Sequence, residues 1–552
     1  MKIKIKKASD FKPMLSLRKG FKMATVKHGK RYYKQMALEV AVRTPERYID
    51  ILKTFGKFEG RILNDSCILE MYIQLYLDGV IDANDLEDEN LNYEFLKLYI
   101  VENKSHNNEW GFPTGYQAAF CRYLKTLSEF GFIYSQYNEI FKISPVGRAL
   151  ISGKITLSEA FALQSMRFWR KSPYRRVLND FNFFDFILKV IVKRGEKGKK
   201  LSYAQFMVAL FSDNGNVEEF ISLIEENKIG NDMDAAYELV KRKYDKIDTK
   251  HSGVSKQNTA FKDYGNTVFR VLQLTGFITV DYSGVILLSI NKNRFELLEK
   301  LQKENFEITK TPQEDEKEYF DILGSFPAKL ENMIVSYREQ EDLSTVGYNK
   351  KIPSILSSYK LDRKTLADYL LDTSNGKKDS RVFWFIQAPI KFELLLTLYL
   401  YTCYGDKYAY KPNFKCDDAG IPYSHAPGNM GDIEVYNSTV YWLVEATLIR
   451  NKTQQINNET VNLFRHISAN SYKEKYLSLV APYIHDDTKL MLSVATIISM
   501  VERKEVALYS LPQSTEEFVA SGEKNSHTDD IKNYSFSFFA NIKDFLNKEI
   551  SL

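Results

Sequence analysis

The sequence predicts a multidomain chain, mainly α-helical, with an α/β unit towards its carboxy-terminal end. Three observations carry that reading. The chain has 552 residues, and at about 150 residues per domain three or four domains are expected. A helix, a Gly-Phe-Ile step, a short ribbon and a further helix occur twice before residue 300. Beyond residue 345 the pattern becomes a helical region, a hairpin, and then strands alternating with helices, as in an α/β unit. The divisions expected are 1–155, 156–302, a linker at 303–344, and 345–552.

The first unit reads mostly helical from 35 to 155. Arg43 to Phe58 places Tyr48, Ile49, Leu52 and Phe55 near a 3.6-residue period behind Thr44 and Pro45, a cap and a helix-starting proline. A helix through Arg122, Leu124 and Leu127 runs into Gly131, Phe132 and Ile133. Strand-like runs follow at Tyr134 and Ile140–Ile143, and Ser144 with Pro145 opens another helix. The second unit repeats this. A helix through Val268, Leu272 and Leu274 leads into Gly276, Phe277 and Ile278, then runs at Thr279–Tyr282 and Val285–Ile290, then a helix near Asn291. A glycine ending a helix before a β-ribbon is the pattern of a winged helix-turn-helix. Two unrelated helix-to-hairpin joints are the plainer alternative. Residues 303–318 hold six acids and Pro312 and read as a solvated connector. Later come helices from 325 to 402, strands at Asp432–Asn437 and Val440–Thr447, a helix at 454–470, and strands at Tyr476–Ile484 and Glu505–Leu511.

Composition narrows the class. Hydrophobic residues make up 44% and charged residues 27%, which excludes a disordered chain or a fibrous repeat. No run approaches 18 apolar residues, so no membrane span is expected. The basic start lacks the apolar core and cleavage site of a secretory signal. Cys67, Cys121, Cys403 and Cys416 form no CxxC pair, and no paired histidines sit at ligand spacing. That argues against structural zinc and for a reducing, cytoplasmic setting.

Net charge is only +5, but its distribution is uneven. Residues 1–34 carry 12 Lys and Arg against Asp10 alone, and residues 165–200 carry 11 against Asp180, Asp185 and Glu196. Two such blocks fit phosphate contacts, with solvated surface as the alternative. The candidate phosphate contacts are Lys19, Lys22, Arg170, Lys171, Arg175 and Arg176.

The chemistry gathers at 431–447. If Ser438 and Thr439 form a two-residue turn, residues summing to 877 face one another, so Glu434 faces Leu443 and Asp432 faces Glu445. Alternation then sets Asp432, Glu434 and Glu445 on one side, and Ile433, Val435, Trp442, Val444 and Ala446 on the other. Opposed carboxylates repel, and a divalent cation would offset that, since hard oxygens suit Mg²⁺. Acids pointing into water are the alternative. Glu393 lies in an otherwise apolar helix, where a carboxylate needs a partner or takes up a proton. Gln455, Glu459 and His466 would share a helix face. Four acids and a histidine without a zinc pattern suggest a magnesium-dependent phosphodiester site.

Asp432 followed by Glu445, Ala446 and Thr447 resembles the hairpin signature of PD-(D/E)xK nucleases. More closely, Ala388–Glu393, His425–Val435, Glu445–Leu448, Gln454 to Ile467 and Ala481–His485 resemble the AlwI family of type IIS restriction endonucleases, which includes site-specific nicking enzymes. Thr44–Arg47 and Ser172–Arg176 fit more weakly. The resemblance implies an amino-terminal winged-helix recognition region and a carboxy-terminal PD-(D/E)xK-like α/β nuclease domain. It implies a short asymmetric duplex DNA site, cut a few base pairs to one side, leaving 5′-phosphate and 3′-hydroxyl ends. Carried over residue by residue, Glu393, Asp432, Glu445 and Glu459 form the acidic site with His466 nearby, and Asp432, Glu445 and Glu393 hold Mg²⁺. Thr447 stands where the wider signature has lysine, so Lys452 or a second metal ion would supply the missing charge.

The reading is a cytoplasmic, prokaryotic DNA endonuclease. A transient homodimer or a second nuclease subunit would serve double-strand cleavage, and cutting one strand alone would make it a nickase. The competing class is a winged-helix DNA-binding regulator without catalysis, and a third reading is an RNA-cleaving enzyme with the same site. The carboxylate cluster separates the regulator from the enzymes, and duplex competition separates DNA from RNA.

Overall fold

The computed structural model describes residues 33–39, 41–42, 45–81, 92–102, 115–175, 177–244, 263–304, 315–344, 347–377, 382–426, 430–450, 455, 474–502 and 507–550. Lys19, Lys22, Arg176, Lys452, Glu459, His466 and nearly all of the helix expected at 454–470 lie outside these residues.

The first unit comprises α1 (Arg47–Gly56), α2 (Asp65–Leu77), α3 (Tyr93–Glu102), α4 (Gly115–Glu129), β1 (Ile133–Tyr134), β2 (Lys142–Ile143) and α5 (Pro145–Ile151). Helix α1 starts two residues after Pro45, and Glu46 at its head makes no side-chain cap bond, so the expected proline start is displaced. Ser144 caps α5 by accepting the Gly147 N–H, with Pro145 opening the helix as expected. An antiparallel bridge joins Ile62, between α1 and α2, to Ile140.

The second unit follows α6 (Leu157–Arg167). It contains α7 (Phe183–Glu196), β3 (Leu201–Ser202), α8 (Tyr203–Ala209), α9 (Val217–Glu226), α10 (Met233–Tyr244), α11 (Gly265–Leu274), β4 (Ile278–Asp281), β5 (Leu287–Ile290) and α12 (Phe295–Lys303). Its three strands lie in the order β3-β5-β4. Both units thus run helix, strand or bridge, helix, insertion, helix, ribbon, the insertion being α3 in the first and α9 with α10 in the second. The Gly-Phe-Ile steps match closely. Gly131 and Gly276 have φ of +70° and +69°. The Ser144 N–H donates to Phe132 O at 3.0 Å, and the Asn291 N–H to Phe277 O at 2.9 Å. A Cβ on Gly131 would strike Leu323, and one on Gly276 would come within 2.7 Å of the Tyr423 ring. Glycine therefore serves both the left-handed bend and the close approach of a later segment.

The expected connector is a docked structure in its described part. Helices α13 (Glu316–Leu323) and α14 (Ala328–Ser344) occupy it. Tyr319, Phe320 and Leu323 are buried. The Tyr319 hydroxyl donates to Glu129 O at 3.0 Å, and Arg338 forks onto Glu159 at 2.9 and 2.7 Å. The acids masked a helical apolar period.

The carboxy-terminal part holds α15 (Ile352–Ser358), α16 (Arg363–Ser374), α17 (Ala388–Tyr404), β6 (Ala409–Pro412), β7 (Lys415–Cys416), β8 (Pro422–Ser424), β9 (Ile433–Tyr436), β10 (Val440–Ala446), β11 (Glu474–Ala481), α18 (Asp486–Glu502), β12 (Ala507–Ser514), α19 (Thr515–Lys524) and α20 (His527–Ile550). Its five-stranded sheet has the order β12-β11-β10-β9-β6. Strands β10, β11 and β12 run parallel, and β9 is antiparallel to β10 and to β6. Pro412 sits in the outermost strand, where a missing N–H costs no ladder bond. Ile433, Val435, Trp442 and Val444 join the main core on one face, and Leu443, Leu477, Leu479 and Leu492 form a second core on the other. Both faces are covered, as parallel strands require.

The main core is continuous from Met36 to Ile531. Phe385 packs on Phe269 at 4.6 Å and Tyr203 at 5.2 Å, and the Arg294 guanidinium lies 5.1 Å from the Tyr423 ring. The second unit and the sheet region are thus joined by apolar packing. Among the described residues the four cysteines are free thiols, and no helix is long and apolar enough to cross a membrane.

The basic block at 165–200 is partly buried and otherwise paired with acids at the surface. Arg170 is 1% exposed and donates to Ser212 O and Lys34 O. Arg175 pairs with Glu129 at 2.7 Å, the two side chains being 12% and 0% exposed. Lys171 pairs with Asp180, Lys193 with Glu218, Lys199 with Glu225 and Lys200 with Asp281. Arg170 and Arg175, expected as phosphate contacts, are therefore internal in this structure. Charge excess along the sequence did not become an uncompensated surface, because acids from distant segments fold onto it.

Candidate active site

The β9–β10 hairpin has the expected register: Leu443 opposes Glu434 and Val444 opposes Ile433. Its turn is set by Asn437, whose Oδ1 accepts the N–H groups of Thr439 and Val440 at 2.9 and 3.0 Å. This alignment brings Asp432 beside Glu445. The Asp432 N–H reaches Glu445 Oε2 at 3.3 Å, and Asp432 Oδ2 accepts the Ala446 N–H at 2.8 Å. Asn413 on the approach to β7 fixes this corner. Its N–H donates to Asp432 O at 2.9 Å, and its side chain donates to Gly431 O at 2.6 Å.

Burial, and then the negative fields of Glu393 and Glu445, hold the Asp432 carboxyl well above the usual carboxylate range. The Ala446 N–H offsets part of that. Glu393 comes from α17 and is 3% exposed. Its Oε1 meets His425 Nδ1 at 3.3 Å, and its Oε2 is buried without a hydrogen-bond partner. His425 follows β8. Burial disfavours its proton, but the hydrogen bond to Glu393 and the fields of Glu393, Glu46 and Asp50 outweigh burial, and its pKa lies above the ordinary 6.5.

Glu434 does not belong to this group. The register sets Lys411 of β6 directly opposite it. Lys411 Nζ and Asn413 Nδ2 reach Glu434 Oε1 at 3.0 and 2.9 Å. The expected trio on one hairpin face is thus replaced by Asp432, Glu445 and Glu393, with a lysine compensating the third hairpin acid. Gln455 is fully buried and donates to Ile449 O and Tyr483 O at 2.8 and 2.7 Å, which makes it a structural tie. Thr447 is 7% exposed, and its hydroxyl accepts the Ile449 N–H at 3.2 Å.

Among the described residues, no group of three His, Cys, Asp or Glu side chains is placed close enough to hold a metal ion. The donor set still fits a hard divalent cation. Its atoms are carboxylate oxygens, one of them orphaned in the interior, and burial, then mutual repulsion, raises the proton affinity of the central acid. Gly431 packs tightly here, since a Cβ would strike Leu443 Cδ1 and come within 2.8 Å of Glu445 Oε1. Gly431→Ala should therefore shift Glu445 and lower cleavage about 100-fold, the cost of misplacing a reacting group by an ångström. Single-turnover rates would check this, and wild-type rates would show that the corner can relax.

Sequence reasoning missed His425, Asn413 and Lys411. His425 lies in a segment that carried the family resemblance, but nothing local tied it to Glu393.

The sequence pattern of the AlwI restriction endonuclease family matches residues 128–375 and 334–520, more than half of the chain. No curated protein matches. A crystal structure of the small subunit of a heterodimeric restriction endonuclease aligns with 31% of this chain and 87% of its own at 18% identity. Its TM-score of 0.23 is too low to argue from. The family match over both the helical and the sheet regions makes this chain a member of the AlwI restriction endonuclease family, and hence a type II restriction endonuclease.

Proposed function

We propose that the enzyme is Mg²⁺-dependent and cuts duplex DNA a few base pairs outside a short asymmetric site. The observation that most supports this is the meeting of Glu393, Asp432 and Glu445 from a helix and both strands of a hairpin. These three residues would hold the ion, with Glu459 and His466 completing the site. Bound there, Mg²⁺ supplies Lewis-acid stabilisation of phosphoryl charge and lowers the pKa of water. The Ala446 N–H and Asn413 keep Asp432 in place, and covered sheet faces keep the site rigid. Thr447 carries no charge, so Lys452 or a second ion would take the place of the superfamily lysine.

In this proposal residues 1–155 and 156–302 are winged-helix recognition units, and 303–344 joins them to the nuclease at 345–552. The shared order of helices and ribbons supports it. In the second unit, however, α11 and the ribbon face the nuclease region. Phe269 packs on Phe385, and the Tyr282 N–H donates to the Tyr359 hydroxyl at 3.2 Å. Helix α4 of the first unit is more open at Tyr116, Ala119, Arg122 and Tyr123. It is the better candidate for reading base edges. Lys19, Lys22, Lys171 and Arg176 remain proposed phosphate contacts.

The test is incubation with supercoiled plasmid and Mg²⁺, with an EDTA control. Discrete linear fragments are expected if both strands are cut, through a homodimer or a second subunit, and open circles if one strand is cut. Equal cleavage in EDTA, or none across varied plasmids, would overturn the proposal.

A further inference from the structure

We propose that His425 is a positioning residue for the nuclease site, its imidazole seating the Glu393 carboxylate beside Asp432. The inference rests on the site reading above and adds a residue to it.

The geometry is asymmetric. Glu393 Oε1 meets the His425 ring nitrogen at 3.3 Å, while Oε2 faces the interior with no partner. Among the described residues, His425 is the side-chain partner given to that carboxylate. A buried carboxylate next to two others has strong reason to rotate away. A donor on one oxygen fixes the rotamer and leaves the other oxygen available for an ion. Partners of this kind, which orient a metal-ligating carboxylate without touching the metal, are worth about 10- to 100-fold in metal affinity or activity.

The ring is delivered by an anchored element. Strand β8 returns from a tight turn in which the Asp417 N–H donates to Ile421 O at 2.9 Å. The Asp418 N–H donates to Asn291 Oδ1 of the second unit at 3.1 Å, and the Asp418 carboxylate accepts from Thr279. Tyr423, two residues before His425, lies under Arg294 and against Gly276. The backbone carrying His425 is thus pinned at its far end on the recognition region.

A cleft beside this segment also reaches the first unit. Glu46, at the head of α1, lines it with Gln387, Ile390, Pro422 and Tyr423. Ile390 lies about one helical turn before Glu393. One Glu46 carboxylate oxygen is buried without a partner.

The experiment measures Ca²⁺ binding to the enzyme–DNA complex by calorimetry, where no cleavage occurs, beside single-turnover cleavage in Mg²⁺. His425→Ala should weaken Ca²⁺ binding about 10- to 100-fold and slow cleavage, with DNA affinity and Tm unchanged. His425→Asn, whose amide N–H donates from nearly the position of Nδ1, should restore most of both. If the alanine variant does not fold, His425→Leu fills the volume without a donor and takes its place. Wild-type Ca²⁺ affinity in the donor-less variant, or an asparagine variant as defective as it, would overturn the inference. Asp432→Asn is the control: if it too keeps wild-type Ca²⁺ affinity, the metal-site reading is what has failed.

Discussion

Asp432→Ala or Glu445→Ala should slow DNA cleavage by about three orders of magnitude, roughly 4 kcal/mol of lost transition-state stabilisation. DNA binding in Ca²⁺ should remain measurable. The two carboxyls lie against one another at the end of the hairpin, and Glu393 adds its field to theirs. No other described acid of the hairpin can substitute, because Glu434 is held by Lys411 and Asn413. The same arrangement makes a stability prediction of opposite sign. Without a cation the three acids repel, and burial with the fields of Glu393 and Glu445 disfavours the Asp432 charge. Asp432→Asn keeps an oxygen for the Ala446 N–H while removing that charge, so its Tm in EDTA should equal or exceed that of wild type. Normal cleavage by either alanine variant would show the chemistry to lie elsewhere, and a lower Tm for the asparagine variant would show that the acids are structural.

Arg175→Ala should unfold the enzyme more readily and should leave the salt dependence of DNA binding unchanged. The guanidinium reaches Glu129 at 2.7 Å and stacks 5.9 Å from the Phe168 ring. Glu129 is fully buried, and its Oε1 has no other partner. Removing the arginine strands a buried charge, which typically costs about 3–5 kcal/mol. Replacing both residues by methionine should recover part of that loss, since two well-packed apolar side chains leave no charge unpaired. Denaturant midpoints check the first expectation, and binding isotherms at several salt concentrations check the second. A variant of normal stability whose salt slope falls by about one would return Arg175 to the DNA surface.

What was legible in the sequence was local. The hairpin register followed from a two-residue turn and strict alternation, and Asn437 closes that turn with its own side chain. The paired glycine steps at 131 and 276 were readable because a left-handed residue after a helix needs glycine. The stretch read as a solvated connector at 303–318 runs into a docked helix at Glu316–Leu323, because charge counting overlooked the apolar period of Tyr319, Phe320 and Leu323. The helix start at Pro45 was off by two residues, a displacement that side-chain caps normally prevent.

The sequence by itself determined the hairpin pairing, the two Gly-Phe-Ile steps and the acids available for chemistry. The tertiary structure decided which acids meet. Glu393 joins Asp432 and Glu445 across a helix–sheet contact, Lys411 withdraws Glu434 from them, and His425 arrives from a hairpin pinned on the second unit. It also buried Arg175 against Glu129 and paired surface lysines of the basic block with Glu218, Glu225 and Asp281. Backbone periodicity acts between neighbours along the chain, so a sequence displays it. Coulombic partnership depends on distance through space, and distant segments come within a few ångströms only once the core has packed.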